Sequence, residues 1–183
     1  MGLLHRDIKP ANIFAAQRGG VFDVAKLLDF GLVKPISQRG LSLELTQEGA
    51  VTGSPLYMAP EQASSDPTDA RSDVYALGCV AYFLLTGRPP FVDQKAVRVL
   101  LAHVGEKPVP PSELREEVPA DLEQVVLKCL AKAPKERFAS AAELEAALAA
   151  CGAADQWTDA QAARWWSSRD AQVAEPAPAL IGA

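Results

Sequence analysis

The sequence predicts a mainly α-helical domain with one small β-hairpin carrying functional loops. Three observations predict it. "SDVYALGCVAYFLLTG" (72–87) is apolar nearly all round, the signature of a fully buried helix. Helical patterns return at 94–104, 120–132 and 141–150. Two β-prone runs, "NIFAA" (12–16) and "VAKLLDF" (24–30), flank a Gly19-Gly20 turn and read as a hairpin.

Residues 31–61 follow the hairpin as a long, poorly periodic stretch holding several Gly, Ser, Thr and Pro. A loop of that length in a compact domain is functional or mobile. The buried helix, helical from Asp73 onward, stops at Gly87, which is followed by Arg88-Pro89-Pro90. The helix at 141–150 begins with "SAAE", where Ser140 can accept a bond from the third helical N–H while Glu143 reaches back. "WTDAQAARWW" (157–166) predicts one more short helix, with Thr158 as N-cap and Gln161 closing the box. Its three tryptophans are expected to pack back on the domain. Residues 171–183, rich in Ala and Pro, are expected to fray. The chain thus divides into a domain at 1–150, a Trp-containing helical extension at 151–170 and a flexible tail at 171–183.

At 183 residues, 49% hydrophobic and 22% charged, the chain suits one globular domain with a small appendage. The net charge of −5, without any Lys/Arg run, argues against nucleic-acid or anionic-membrane partners. The longest apolar run, 74–85, falls short of the ~18 residues of a membrane span. With no leader pattern at its start, the chain is expected in the cytoplasm. Cys79, Cys129 and Cys151 are odd in number and set among Ala, Leu and Val, which predicts buried free thiols rather than a disulfide framework or a zinc site.

The chemistry concentrates in "HRDIKPAN" (5–12), where His5, Arg6, Asp7, Lys9 and Asn12 are the informative positions. Five fixed residues within eight arise by chance on the order of once per million windows. Phosphoryl transfer explains the set. A carboxylate such as Asp7 can orient an attacking hydroxyl and take its proton, and Lys9 offers positive charge to the moving phosphoryl oxygens. Asn12 offers an oxygen to Mg²⁺, a hard cation. In "LLDFGLVK" (27–34), Asp29 supplies a second carboxylate for a Mg²⁺ that bridges ATP phosphates, and Gly31 lets the backbone turn behind it.

"GSPLYMAPEQ" (53–62) and "DARSDVYALG" (69–78) complete a pattern. From Leu4 to about Ala150 the chain resembles the C-terminal lobe of a serine/threonine protein kinase, most similar to the eukaryotic-like kinases of bacteria. The resemblance implies Asp7 as catalytic base, Lys9 as the phosphate-stabilising lysine, and Asn12 and Asp29 as Mg²⁺ ligands. Phe14 and Leu28 would form the floor under the adenine of ATP. Arg6 would pair with a phosphorylated or acidic residue of the 31–61 loop. Thr46 is the leading phosphorylation site there and Thr52 the second, while Glu48 stands where related kinases often place another acceptor threonine. Ser54 would line the site of the acceptor residue. Asp73 would accept hydrogen bonds from the backbone around Arg6, and Glu61 would pair with Arg137 of "KERF". Lys9, two residues after the catalytic Asp, favours protein Ser/Thr acceptors. His5 and Phe30 read as packing residues, and Lys34, Arg39 and Lys95 as solvated surface.

Two family parts are not found in these residues. No glycine-rich loop covers ATP phosphates, since "GGVFDVAK" (19–26) reads as the hairpin turn, and "DVAKLL" (23–28) resembles a strand-lysine motif only superficially. The expectation is an N-terminally truncated kinase, lacking its N-terminal lobe and inactive alone. The alternative is a non-catalytic, kinase-like interaction module that binds partners through its substrate-docking surface.

Overall fold

The computed structural model describes residues 4–28 and 54–174. A 3-10 turn at Pro10–Asn12 leads into β1 (Ile13–Arg18) and β2 (Val21–Leu27), an antiparallel pair in which Ile13 faces Leu27 and Ala16 faces Val24. Gly19 and Gly20 take left-handed φ of 59° and 83°, the geometry a two-residue hairpin loop needs. Beyond the loop, a 3-10 turn at Ser54–Tyr57 leads to α1 (Pro60–Ala63), α2 (Ala70–Thr86) and α3 (Ala96–Gly105). Then come α4 (Pro111–Leu114), α5 (Ala120–Cys129), α6 (Ala141–Ala149) and α7 (Asp159–Ala174).

The buried helix begins three residues earlier than its apolar run suggests. Asp69 caps it, accepting the Arg71 N–H at 2.8 Å, and Gly87 in the left-handed region (φ 78°) closes it. α5 ends at Cys129 rather than at 132, giving way to a 3-10 turn that starts at Pro134. At α6, Ser140 accepts the Glu143 N–H at 3.2 Å, while the Glu143 carboxylate takes the N–H of Ala139 rather than that of Ser140. α7 begins as its capping box predicts, the Gln161 amide oxygen accepting the Thr158 N–H at 2.8 Å, but it runs on to Ala174. The short helices α1 and α4 carry no sequence periodicity that announces them.

α2 is apolar nearly all round because neighbours cover most of its sides, although Leu84 near its end stays exposed. Tyr75, Cys79 and Tyr82 pack with Ala59, Val126 and Leu130, while Val74 packs with Cys129, Phe138 and Leu144. Ala76 and Val80 meet Ile8, which anchors the segment holding Asp7. Cys79, Cys129 and Cys151 are buried free thiols. Among the described residues no helix is long and apolar enough to cross a membrane. The tryptophans meet only part of the expectation, since α7 packs back on β2 but Trp157 and Trp165 remain about half exposed.

Gly78 sets how closely α2 and α5 approach. A methyl group there would stand 2.5 Å from Cys129 Cβ, so the helices would have to part. Gly78→Ala is expected to destabilise the fold by about 1–3 kcal/mol, the range for an overpacked core. A urea midpoint equal to the parent's would contradict the packing.

His103 makes the fold sensitive to acid. It is fully buried on α3, sharing a 2.8 Å hydrogen bond with the Tyr75 hydroxyl and lying edge-on to Phe91. Beside it, the Lys132 ammonium donates to the carbonyls of Ala102 and His103 and so caps the C-terminal end of α3. Burial first, and then the Lys132 charge, push the imidazole down from 6.5 to about 4. Between those values the unfolded chain binds the proton and the folded chain does not. The contribution of His103 is therefore full above about pH 6.5 and is lost as pH drops toward 4, by up to roughly 3 kcal/mol at ~1.4 kcal/mol per unit. Equal urea midpoints at about pH 7.5 and about pH 5 would count against this.

Candidate active site

The segment 5–12 is shaped by ties to distant helices. Arg6 sits in the left-handed region at φ 65°, which a side chain with a Cβ avoids unless its surroundings hold it there. Asp73, in the first turn of α2, supplies that hold. Its two carboxylate oxygens accept the N–H groups of His5 at 2.8 Å and of Arg6 at 2.9 Å. On the other side, the Gln62 side chain of α1 donates to the Arg6 carbonyl at 3.2 Å and accepts the Ala59 N–H at 3.0 Å. The strained peptide is thus gripped from two helices.

That grip presents a compact polar cluster. Lys9 Nζ donates to Asp7 Oδ2 at 2.8 Å. The buried Asn12 amide donates to the same oxygen at 3.0 Å and to the Asp7 carbonyl at 2.8 Å. With its nitrogen committed to Asp7, the Asn12 amide turns its oxygen away from that carboxylate. The Leu28 N–H donates to the Asn12 carbonyl at 2.8 Å, and the His5 ring meets the Leu28 carbonyl at 3.1 Å. The two ends of the hairpin therefore lie side by side at the cluster. Phe14 and Leu28 expose apolar side chains, 60% and 45% accessible, next to it.

Asp29, Thr46 and Thr52, with Phe30, Gly31, Lys34, Arg39 and Glu48, lie outside the described residues. Ser54 opens the 3-10 turn that ends at Tyr57, and Tyr57 in turn lines a small cleft with Arg6, Asp7, Ile8, Met58 and Gln62.

Below the cluster, Glu61 and Arg137 form a buried two-point ion pair at 2.7 and 2.8 Å. Every guanidinium N–H is used, because Arg137 also donates to the carbonyls of Arg71, Ala131 and Lys132. Ser72 donates to the same Glu61 carboxylate at 2.6 Å, and the guanidinium stacks on the Tyr75 ring. Burial pushes the Glu61 carboxyl up, yet the hydrogen bonds from Arg137 and Ser72 outweigh it and hold the group below the usual carboxylate range. Sequence reasoning missed Gln62 and Ser72. Gln62 had a signal, a Gln at the third position of a helix that starts at Pro60. Ser72 had none.

Comparison with known proteins gives the family of a chain that carries this cluster on this helical body. The protein kinase domain model matches residues 1–148, and the chain belongs to that family. It is 50% identical over 147 residues to the serine/threonine-protein kinase PknB of Mycobacterium tuberculosis, and 48% identical to that of Mycobacterium leprae. Each alignment covers 80% of this chain and 22% of the relative. A probable serine/threonine-protein kinase of Streptomyces coelicolor is 43% identical over 150 residues, covering 82% of this chain and 21% of its own. Among solved structures, the kinase domain of Mycobacterium tuberculosis PknI superposes with a TM-score of 0.55 at 32% identity, over 80% of this chain and 46% of that one. The chain thus spans about a fifth of the curated relatives' length and under half of that kinase-domain chain.

Removing one partner of the Glu61–Arg137 pair leaves a buried charge uncompensated. Glu61→Ala is expected to lose ~3–5 kcal/mol of stability. A Glu61→Ala chain that melts at the parent temperature would refute the assignment.

Proposed function

We propose that these residues serve ATP-dependent transfer of phosphate to serine and threonine side chains of proteins in the cytoplasm. The observation that carries the reading is the Asp7–Lys9–Asn12 cluster, whose three side chains meet within 3.0 Å on a peptide held by Asp73. Asp7 orients the acceptor hydroxyl and takes its proton. Lys9, already against Asp7, places positive charge where a transferring phosphoryl group gathers negative charge. Asp73 and Gln62 do their work beforehand, fixing the backbone so that the Asp7 carboxylate needs no reorganisation.

Buried oxygen donors fit a magnesium ion, and the Asn12 amide oxygen is one such donor. Asp29, two residues beyond Leu27, is the second ligand in this reading. Asn12 and Asp29 would hold the metal, which when bound would supply positive charge against the negative charge of the ATP phosphates. Phe14 and Leu28 offer the apolar surface on which an adenine ring rests. Arg6 pairs with a phosphorylated Thr46 or Thr52, or with an acidic residue, and Ser54 lines the acceptor site.

These 183 residues contain no G-x-G-x-x-G segment to cradle phosphates. Positioning and charge neutralisation supply nearly all of the rate in this reaction. A chain of these residues alone, given Mg²⁺ and ATP, is therefore expected to transfer no measurable phosphate. In a radiolabelled-phosphate assay on a basic protein substrate, adding the nucleotide-binding lobe of a related kinase should restore transfer, and Asp7→Asn should abolish it again. Transfer that survives Asp7→Asn would defeat the assignment, as would silence in every mixture of folded parts.

A further inference from the structure

The hairpin is thinly attached for something that positions a site residue. None of its strand residues is fully buried, and a two-stranded ribbon without a covering layer is marginal in water. Its base is tied down at Asn12 and Leu28, but those bonds leave the far end unsupported. Besides β1, the element packed most closely on β2 is α7. That helix lies beyond residue 148, where the match to the kinase family ends.

The contact is built on a β-bulge. Ala16 pairs with Val24 and Arg18 with Val21, so Gln17 on β1 faces two residues, Phe22 and Asp23, on β2. Asp23 takes a left-handed φ of 56°, a conformation Asp and Asn tolerate better than other residues with a Cβ. A bulge of this kind re-aims the side chain it carries. Here the re-aimed carboxylate receives two indole N–H groups, Trp157 Nε1 on Oδ2 and Trp166 Nε1 on Oδ1, each at 2.7 Å. Trp157 stands just before the Thr158 cap and Trp166 about two turns into α7, so one carboxylate spans the first half of the helix. Both indole bonds hold the Asp23 carboxyl below its ordinary range. The exposure of Trp157 is thereby explained, while Trp165 lies edge-on against Trp166 and takes no part in the contact. The value of Trp157 and Trp166 lies in two directed N–H donors as well as in buried area.

We propose that α7 is a clamp on the hairpin, with Asp23 as the positioning residue through which Trp157 and Trp166 keep the strands between Asn12 and Leu28 ordered. The C-terminal helix then governs the metal-ligand end of the site. That consequence rests on the kinase reading above, whereas the clamp itself does not.

The test is hydrogen exchange of the backbone amides on the chain as it stands. Asp23→Asn keeps size and tolerance of the left-handed region but leaves one acceptor oxygen where two indoles need two. A Trp157→Phe/Trp166→Phe double variant keeps aromatic bulk and removes both donors. In either, amides of residues 13–27 should exchange faster by about tenfold or more, while those of α2 and α5 keep the parent rate, because only a local opening is affected. In Asp23→Asn the indole N–H proton resonances of Trp157 and Trp166 should also move toward those of a free indole. Hairpin exchange at the parent rate in both variants would overturn the clamp. So would Asp23→Gly slowing that exchange, since relief of bulge strain would then outweigh the lost carboxylate. In the reconstituted transfer assay, Asp23→Asn should lower kcat more than it changes KM for the protein substrate. If no mixture transfers phosphate at all, the kinase reading fails and the exchange result still decides the clamp.

Discussion

The buried Glu61–Arg137 pair is the constraint on which the rest of the described structure depends. A guanidinium removed from water must find partners for five N–H groups, and here two carboxylate oxygens and three backbone carbonyls provide them. Those carbonyls belong to the start of α2 and to the turn after α5, so satisfying one side chain draws three parts of the chain to a point. α1 has only four residues and could not hold a position by its own helical bonds. Through Glu61 it is nailed to the core. Gln62, the next residue, can then act as a fixed donor rather than a loose surface amide.

From that point the order passes upward to the cluster. Arg6 would relax out of its left-handed conformation if either grip were lost, and the Asp7 carboxylate would swing with it. Asp73 grips from α2 and Gln62 from α1, while Ile8 is wedged against Ala76 and Val80 on the same face of α2. Polar bonds set the orientation of the peptide, and apolar packing sets its depth. Neither alone would keep Asp7, Lys9 and Asn12 within hydrogen-bonding distance, because Asp7 and Lys9 are only partly covered and water competes for their bonds, while Asn12 is buried beside them.

How much of this was legible in the sequence depends on whether the signal is local. The buried helix announced itself by apolar residues on all sides, its end by Gly87, and the starts of α6 and α7 by Ser140 and Thr158, because capping and periodicity are written within a few residues. The spacing of Asp7, Lys9 and Asn12 was legible for the same reason. The start of α2 was misjudged because Asp69 caps it in a stretch without apolar periodicity. The run of α7 to Ala174 was missed because 167–174, with two Ser, an Asp and a Val, has neither strong helix propensity nor an apolar stripe to distinguish it from tail. The tryptophans misled more instructively. Size argued for burial, but the N–H groups of Trp157 and Trp166 found a carboxylate 134 and 143 residues away, and no local pattern encodes a contact of that separation.

Two regimes of stability therefore meet at the cluster. Below it lies a core in which Gly78 brings α2 and α5 nearly into backbone contact and a fully bonded ion pair leaves no slack. Above it stands a ribbon of two strands whose side chains mostly face water. Asn12 belongs to both, buried at the end of the rigid segment and first in line to the ribbon. A residue in that position inherits the precision of the core only if the ribbon does not lever it away, so the hairpin needs a hold that the core cannot reach to give. Asp23 sits at the far end of that lever, and the left-handed bulge there is strain that makes sense when the carboxylate it turns outward has something to grasp. Placing that hold on a helix beyond the family's matched region lets a chain alter the ribbon's order without touching Asp7, Lys9 or the pair that supports them.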